Sequence, residues 1–210
     1  MNIAQLDTTH LVALAAALGW ASGLRLYAVV FITGAAGYLG WVPLPEGLKI
    51  LQNPLVMGAS GLMFVAEFFA DKIPALDSVW DLVHTFIRIP AGAALAAGVF
   101  GGDSATWTTV AALLGGTLAA SAHTAKATTR AAANTSPEPF SNIGLSLLGD
   151  AAVPGMLWLA WEHPVAFFVA LAAALLLGLA LTVVLFKFLR GLWRRLTGHG
   201  RPAEPDLRSV

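Results

Sequence analysis

The chain contains no cysteine. That excludes disulfides, thiol nucleophiles and Cys-ligated metals, and leaves the compartment open. Charge is scarce too: 11% of the 210 residues are charged, against roughly a quarter in ordinary soluble domains. The two signs balance at 12 each, so there is no electrostatic case for nucleic acid as a partner. The sequence has no P-loop, dinucleotide fingerprint, Gly-x-Ser-x-Gly elbow or His-Glu-x-x-His motif, and it indicates no cofactor. Its opening, MNIAQLDTTHLVALAAALGWASG, lacks the basic start of a signal peptide and is expected to begin a retained transmembrane helix.

What is abundant is apolar surface, at 57% of residues. A soluble fold of this length could not hide it, so a bilayer is the expected solvent and membrane lipids the first partners. Six segments have the length and composition of spanning helices: about His10–Gly37, Leu55–Ala75, Asp81–Gly101, Thr106–Ala133, Asn142–Trp161 and Pro164–Leu189. The expected fold is therefore an all-α polytopic membrane protein. One transmembrane domain covers residues 1–196, followed by a disordered cytoplasmic tail at 197–210. GWVPLPEGLKILQNP (40–54) reads as a Pro-rich loop with a short interfacial helix, and GGDSATW, NTSPEPFSN and WEHP read as turns. Lys187, Arg190, Arg194, Arg195 and Arg201 follow the last span, which places the C-terminus in the cytoplasm and, with six spans, the N-terminus as well.

Asp71 and His84 are thirteen residues apart, as are Asp150 and His163. The spacing suggests two three-helix halves, about 10–101 and 106–189, in inverted orientation as in many secondary transporters.

The scarce charge is patterned. His123, Lys126, Arg130 and Asn134 share one face of the fourth segment, and Asn142, Ser146 and Asp150 one face of the fifth. Glu67 and Asp71 stand one turn apart. Asp77, Asp81, His84 (or Thr85) and Arg88 form a stripe if the third helix starts near Pro74. Arg25 lies in mid-span of the first segment. An ionisable group at the bilayer centre costs at least roughly 2.5–3.5 kcal/mol, so these side chains must point inward. Arg25, Lys72, Arg88, Lys126 and Arg130 can meet Glu67, Asp71, Asp77, Asp81, Glu138 and Asp150 in a polar cluster nearer the cytoplasmic side. Asp77 also fits a solvated turn beside the interfacial Trp80. Pro74, Pro90 and Pro154 mark places where helices are interrupted or started near charge.

ADKIPALDSVWDLVHTFIRIPAGA, with SGLRLY upstream and NTSPEPFSNIGLSLLGD downstream, resembles a bacterial membrane family catalogued as domain of unknown function 4126, over roughly residues 10–190. The resemblance implies a polytopic protein of the bacterial inner membrane and no established activity. Members tend to carry a second acid where this chain has Gly149. AEFFADK (66–72) is similar in plan to the acidic motif of small divalent-cation transporters, without its glycine.

Three functional readings follow from the residues. The first is a secondary transporter or channel-like carrier for a small ion or small anionic solute. Its site comprises Arg25, Glu67, Asp71, Lys72, Asp81, His84, Arg88, His123, Lys126, Arg130, Asn142, Ser146 and Asp150, with Glu67 and Asp71 as the only candidates for a metal ion. The second is a membrane-embedded enzyme acting on a lipid headgroup, with Asp81, His84 and Arg88 as acid, base and phosphate contact. The third is a structural subunit in which the charges only fix helix packing. A homo-oligomer is compatible with all three.

Overall fold

A computed structural model describes residues 7–73, 76–101, 104–135 and 140–196. The described chain is helical throughout: α1 (Thr8–Tyr38), a 3-10 helix (Glu46–Gln52), α2 (Pro54–Ala70), α3 (Leu76–Val99), α4 (Ala105–Ala133), α5 (Phe140–Glu162) and α6 (Pro164–Leu196). All six expected segments are helices, and the 40–54 loop does hold a short one. Pro74, Glu138 and the 197–210 tail lie outside the described residues.

Side-chain caps set several boundaries. Asp7 accepts from the His10 amide, Asn53 from Leu55 and Ser104 from Trp107. Proline at the first position of α2 supplies a preset φ and needs no donor there. Four helices are long and apolar enough to cross a membrane, namely α1, α3, α5 and α6; a fifth span arises if the 3-10 helix and α2, bent by 69° at their junction, count together. The chain is thus a multi-pass helical membrane protein. α4, whose last third carries His123, Lys126 and Arg130, is not among those helices.

α1 is not one straight helix. It breaks at Arg25, whose φ −147° and ψ 79° are non-helical. Before the break, Gly19 packs against Gly115 of α4 and Gly92 of α3, and Gly23 against Ala119 and Ala122. After it, Phe31 stacks on Phe64, and Gly34 lies against Leu51 and Met57. A straight α1 would carry Gly34 about 14 Å beyond Arg25. The contacts forbid this. Gly47 of the 3-10 helix touches Gly98 and Gly101, at the far end of α3. Gly98 stands about 25 Å from Asp81, measured back along α3. Gly47 and Leu51 are separated by only about 8 Å of 3-10 helix. The second half of α1 must therefore double back beside the first, with Arg25 at the tip.

This fold-back corrects three expectations. The first segment is a hairpin of two half-helices rather than a single span. The expected three-helix halves do not repeat, because α4, the counterpart of α1, runs unbroken. The start of α1 and the end of α6 lie at opposite ends of the bundle, unlike in a plan of six spans. The break also owes nothing to proline: Pro90 and Pro154 sit inside helices that continue through them.

The apolar core gathers around the first half of α1, where Ala13, Ala17, Leu18 and Ala21 are fully buried. Small residues permit this. A Cβ on Gly19 would stand 2.5 Å from the Gly115 Cα, so only glycine lets α1 and α4 approach so closely. α6 is the peripheral helix, with Phe167 and Leu171 its buried anchors.

Candidate functional site

Five helices deliver charge to one place, at the end of the bundle formed by the α2–α3 turn and the start of α5. Asp71, the C-cap of α2, is its hub. Its Oδ2 lies 2.8 Å from Arg25 Nη1, 3.1 Å from Lys126 Nζ and 3.1 Å from Arg130 Nη2. Arg130 Nη1 also donates to the Asp71 carbonyl at 3.0 Å, satisfying a backbone acceptor that the end of α2 leaves free. Lys126 Nζ donates to the Leu24 carbonyl at 3.0 Å, next to the α1 break. The break thus has a chemical role, because its backbone faces a cation instead of lipid.

Arg25 spans two helices. Its Nε meets Asp150 Oδ1 at 2.9 Å, and its Nη2 donates to Ser146 Oγ at 2.8 Å. Lys72, in the turn after α2, sits 3.4 Å from Asp150 Oδ2, donates to Ser146 Oγ at 3.1 Å and lies over the Phe68 ring. Burial lowers the Lys72 pKa, and the neighbouring Asp150 carboxylate partly opposes that shift.

A second knot forms around Arg88. Its Nη2 holds Glu67 Oε1 at 2.5 Å, and its Nη1 holds Asp81 Oδ1 at 2.7 Å. Nη1 also reaches His123 Nδ1 at 3.2 Å. A guanidinium only donates, so Nδ1 accepts and His123 carries its proton on Nε2, which donates to Thr85 Oγ1 at 2.7 Å. Thr85 in turn donates to the Asp81 carbonyl at 2.9 Å. Asp81 joins the two knots, since its Oδ1 is also 3.1 Å from Lys126 Nζ.

Most of the expected site residues therefore converge, and two do not. His84 bonds to the Trp80 carbonyl and the Tyr27 hydroxyl and stacks on the Trp80 ring. It is held by its own helix turn and by α1. Asn142 bonds to Asn134 instead of a charged group. Asp77 also departs from the solvated-turn reading, being fully buried and tied to Arg130 at 3.4 Å and to Asn134 Nδ2 at 3.0 Å. Its place in the Asp77–Asp81–Arg88 stripe was the signal for this. Nothing in the sequence marks the Leu24 carbonyl or the Tyr27 hydroxyl.

Glu67 and Asp71 do not form the carboxylate pair that a cation site would need. One is held by Arg88 and the other by three bases, and among the described residues no group of three His, Asp or Glu side chains has metal-site geometry. Formally the cluster is neutral. Arg25, Lys72, Arg88, Lys126 and Arg130 face Glu67, Asp71, Asp77, Asp81 and Asp150.

The neutrality is uneven in space. A cavity of about 300 Å³ runs beside the cluster between α1, α4, α5 and α6. Arg25, Lys126 and Arg130 reach its wall, but Asp71 is the only carboxylate that does. The rest of the lining is apolar apart from Thr129 and Ser146, and includes Trp20, Leu145, Leu148 and Leu177.

A bundle of this kind, with a broken helix whose tip enters a buried charge cluster, defines a polytopic membrane protein with an internal polar site. Residues 12–184 match the family described as a domain of unknown function, DUF4126, and the chain belongs to that family. Searches of curated proteins and of solved structures give no match.

Proposed function

We propose that the protein is a small membrane carrier for an anionic solute, with its binding site at the tip of the α1 hairpin. One observation carries this reading: Asp71 is held by three cations at the wall of a cavity. A carboxylate so placed occupies the position a substrate acid would take. An incoming anion competes with Asp71 for Arg25, Lys126 and Arg130. Those cations keep second partners in Asp150, Asp81 and Asp77, so none is stranded during the exchange. Asp71 is then the internal counter-anion that closes the site when substrate leaves.

The α1 hairpin suits transport for a physical reason. Broken helices expose backbone polar groups at membrane depth, which is tolerated where they line a cavity or are buried in protein. On this reading α1 is re-entrant and α2 to α6 cross. The charged end, with Lys72, Arg130 and the basic last turn of α6, faces the cytoplasm, and the start of α1 faces outward. The membrane would be the bacterial inner membrane. This five-crossing plan takes the place of six spans in inverted halves.

The lipid-headgroup enzyme is less well supported. The trio it needs does not assemble, because His84 turns to Tyr27 and Trp80 while Asp81 binds Arg88 directly.

Proteoliposomes on a solid-supported membrane test the proposal. Concentration jumps of inorganic phosphate and of short carboxylates should evoke transient currents in the wild-type protein. Lys126→Gln should abolish them while the purified variant still shows wild-type helical content and a cooperative melt. Equal currents in the two proteins would refute the assignment.

A further inference from the structure

The cavity's shape and chemistry narrow the substrate. Resting on the carrier reading, we infer that the site takes an anionic amphiphile: an acid group, carboxylate or phosphate, on a single apolar chain.

The head end is cationic. Three bases against one carboxylate give the cavity wall a formal excess of positive charge. Arg25 Nη1 lies 2.8 Å from Asp71 Oδ2, so an acid oxygen that displaces this carboxylate meets the same guanidinium. The cavity therefore selects a negative group and offers it a guanidinium.

The tail end is apolar and continues. A second cavity of about 310 Å³ shares Trp20, Leu24, Ala125, Ala174 and Gly178 with the first. Together they form a trough along α6, from the charged end toward Ala120 and Leu175. A Cβ on Gly178 would stand 3.3 Å from the Ala125 Cβ, so the trough runs beside this close contact of α6 with α4, where small side chains leave its walls unfilled. Leu148 and Leu177, which line the first cavity, are 67% and 61% exposed, so its mouth opens on the surface that meets lipid. A free inorganic anion would leave most of this trough empty or filled with water against hydrocarbon walls. A chain fills it, and an amphiphile reaches it sideways from the bilayer without crossing a headgroup layer.

The test is a binding series on the intact chain in a neutral detergent, read by native mass spectrometry. Affinities are referred to free aqueous ligand. The ligands are inorganic phosphate, then ethyl, butyl, hexyl and octyl phosphate, with hexanoate as a second acid and octanol as the uncharged control. Affinity should rise with chain length by about fourfold per methylene until the trough is full. Octanol should bind at least about tenfold more weakly than octyl phosphate, the loss of one charged contact. Ala174→Phe, on the peripheral helix, should flatten the chain-length series, and Lys126→Gln should erase the preference for acid over alcohol. The wild-type series decides the matter even if a variant misfolds. Phosphate binding as tightly as octyl phosphate overturns the amphiphile and leaves a carrier of small anions standing. Octanol binding as tightly as octyl phosphate overturns the acid head. No anion binding at any chain length overturns this inference and the carrier reading together.

Discussion

The Glu67–Arg88 pair offers the sharpest measurement of what the cluster contributes to stability. Both side chains are fully buried, and their 2.5 Å contact joins α2 to α3. The partners are not equivalent. Arg88 keeps Asp81 at 2.7 Å if Glu67 is changed, whereas Arg88 is the only base placed on Glu67 among the described residues. Glu67 Oε2 already lacks a hydrogen bond. Removing the arginine therefore leaves a buried, uncompensated carboxylate, and removing the acid leaves a cation that keeps Asp81 and His123.

Breaking a buried pair from one side costs about 3–5 kcal/mol, and Arg88→Met should fall in that range. Glu67→Gln keeps the shape and one acceptor, so it should cost about 1.5–3 kcal/mol, the range for a hydrogen bond to a charged group. The double variant Glu67→Met with Arg88→Met removes both charges and leaves Asp81 with Lys126. It should be more stable than Arg88→Met alone, because the lone carboxylate is gone. Reversible unfolding in mixed detergent micelles measures all three. Additive single effects, each under about 1 kcal/mol, would refute the picture of a dry, coupled pair.

Other expectations are simpler to test. Gly115→Ala should destabilise by about 1–3 kcal/mol or more, since its Cβ would meet the Gly92 carbonyl at 2.6 Å, whereas Gly58→Ala, with nothing within 4 Å, should be neutral or stabilising by up to about 1 kcal/mol; melting temperatures compare them. Because the chain has no cysteine, single cysteines report topology cleanly. Cysteines at positions 7 and 41 should label from one face of a sealed vesicle and one at 135 from the other; labelling of 7 together with 135 would rule out the α1 fold-back. Asp77→Ala should destabilise by roughly 3 kcal/mol, as a buried partner of Arg130, and a change within about 0.5 kcal/mol would return it to the solvated turn.

Periodicity carried most of the cluster. His123, Lys126 and Arg130 share a face at helical spacing; in the fold Lys126 and Arg130 both meet Asp71 and Asp81, and His123 joins the same cluster through Arg88 and Thr85. From α5, Ser146 and Asp150 both meet Arg25 and Lys72. The scarcity of charge made these stripes legible, since an isolated charge in an apolar helix has few tolerable directions. The fold-back at Arg25 was not legible. No proline marks it; the only local mark is the Ser22–Gly23 step just before it, and the break is fixed by tertiary partners: Asp71, Asp150, Ser146 and the Lys126 ammonium on the Leu24 carbonyl. One clue was present in plain length. Run straight, the 31 residues of α1 would extend about 46 Å, well beyond the roughly 30 Å of hydrocarbon a single span needs. Asp77 was ambiguous because proximity to a turn and membership of a stripe pointed in opposite directions, and packing against α4 decided it.

The position of Arg25 also bears on how the protein is made. Its guanidinium emerges from the ribosome long before its partners, with Ser146 following 121 residues later and Asp150 later still. Until α5 is synthesised, the tip of the hairpin has at most Asp71 and the bases that compete for it. The full set of Arg25 partners therefore exists only once the fifth helix has been made, and a chain truncated before it would hold this arginine without Ser146 and Asp150.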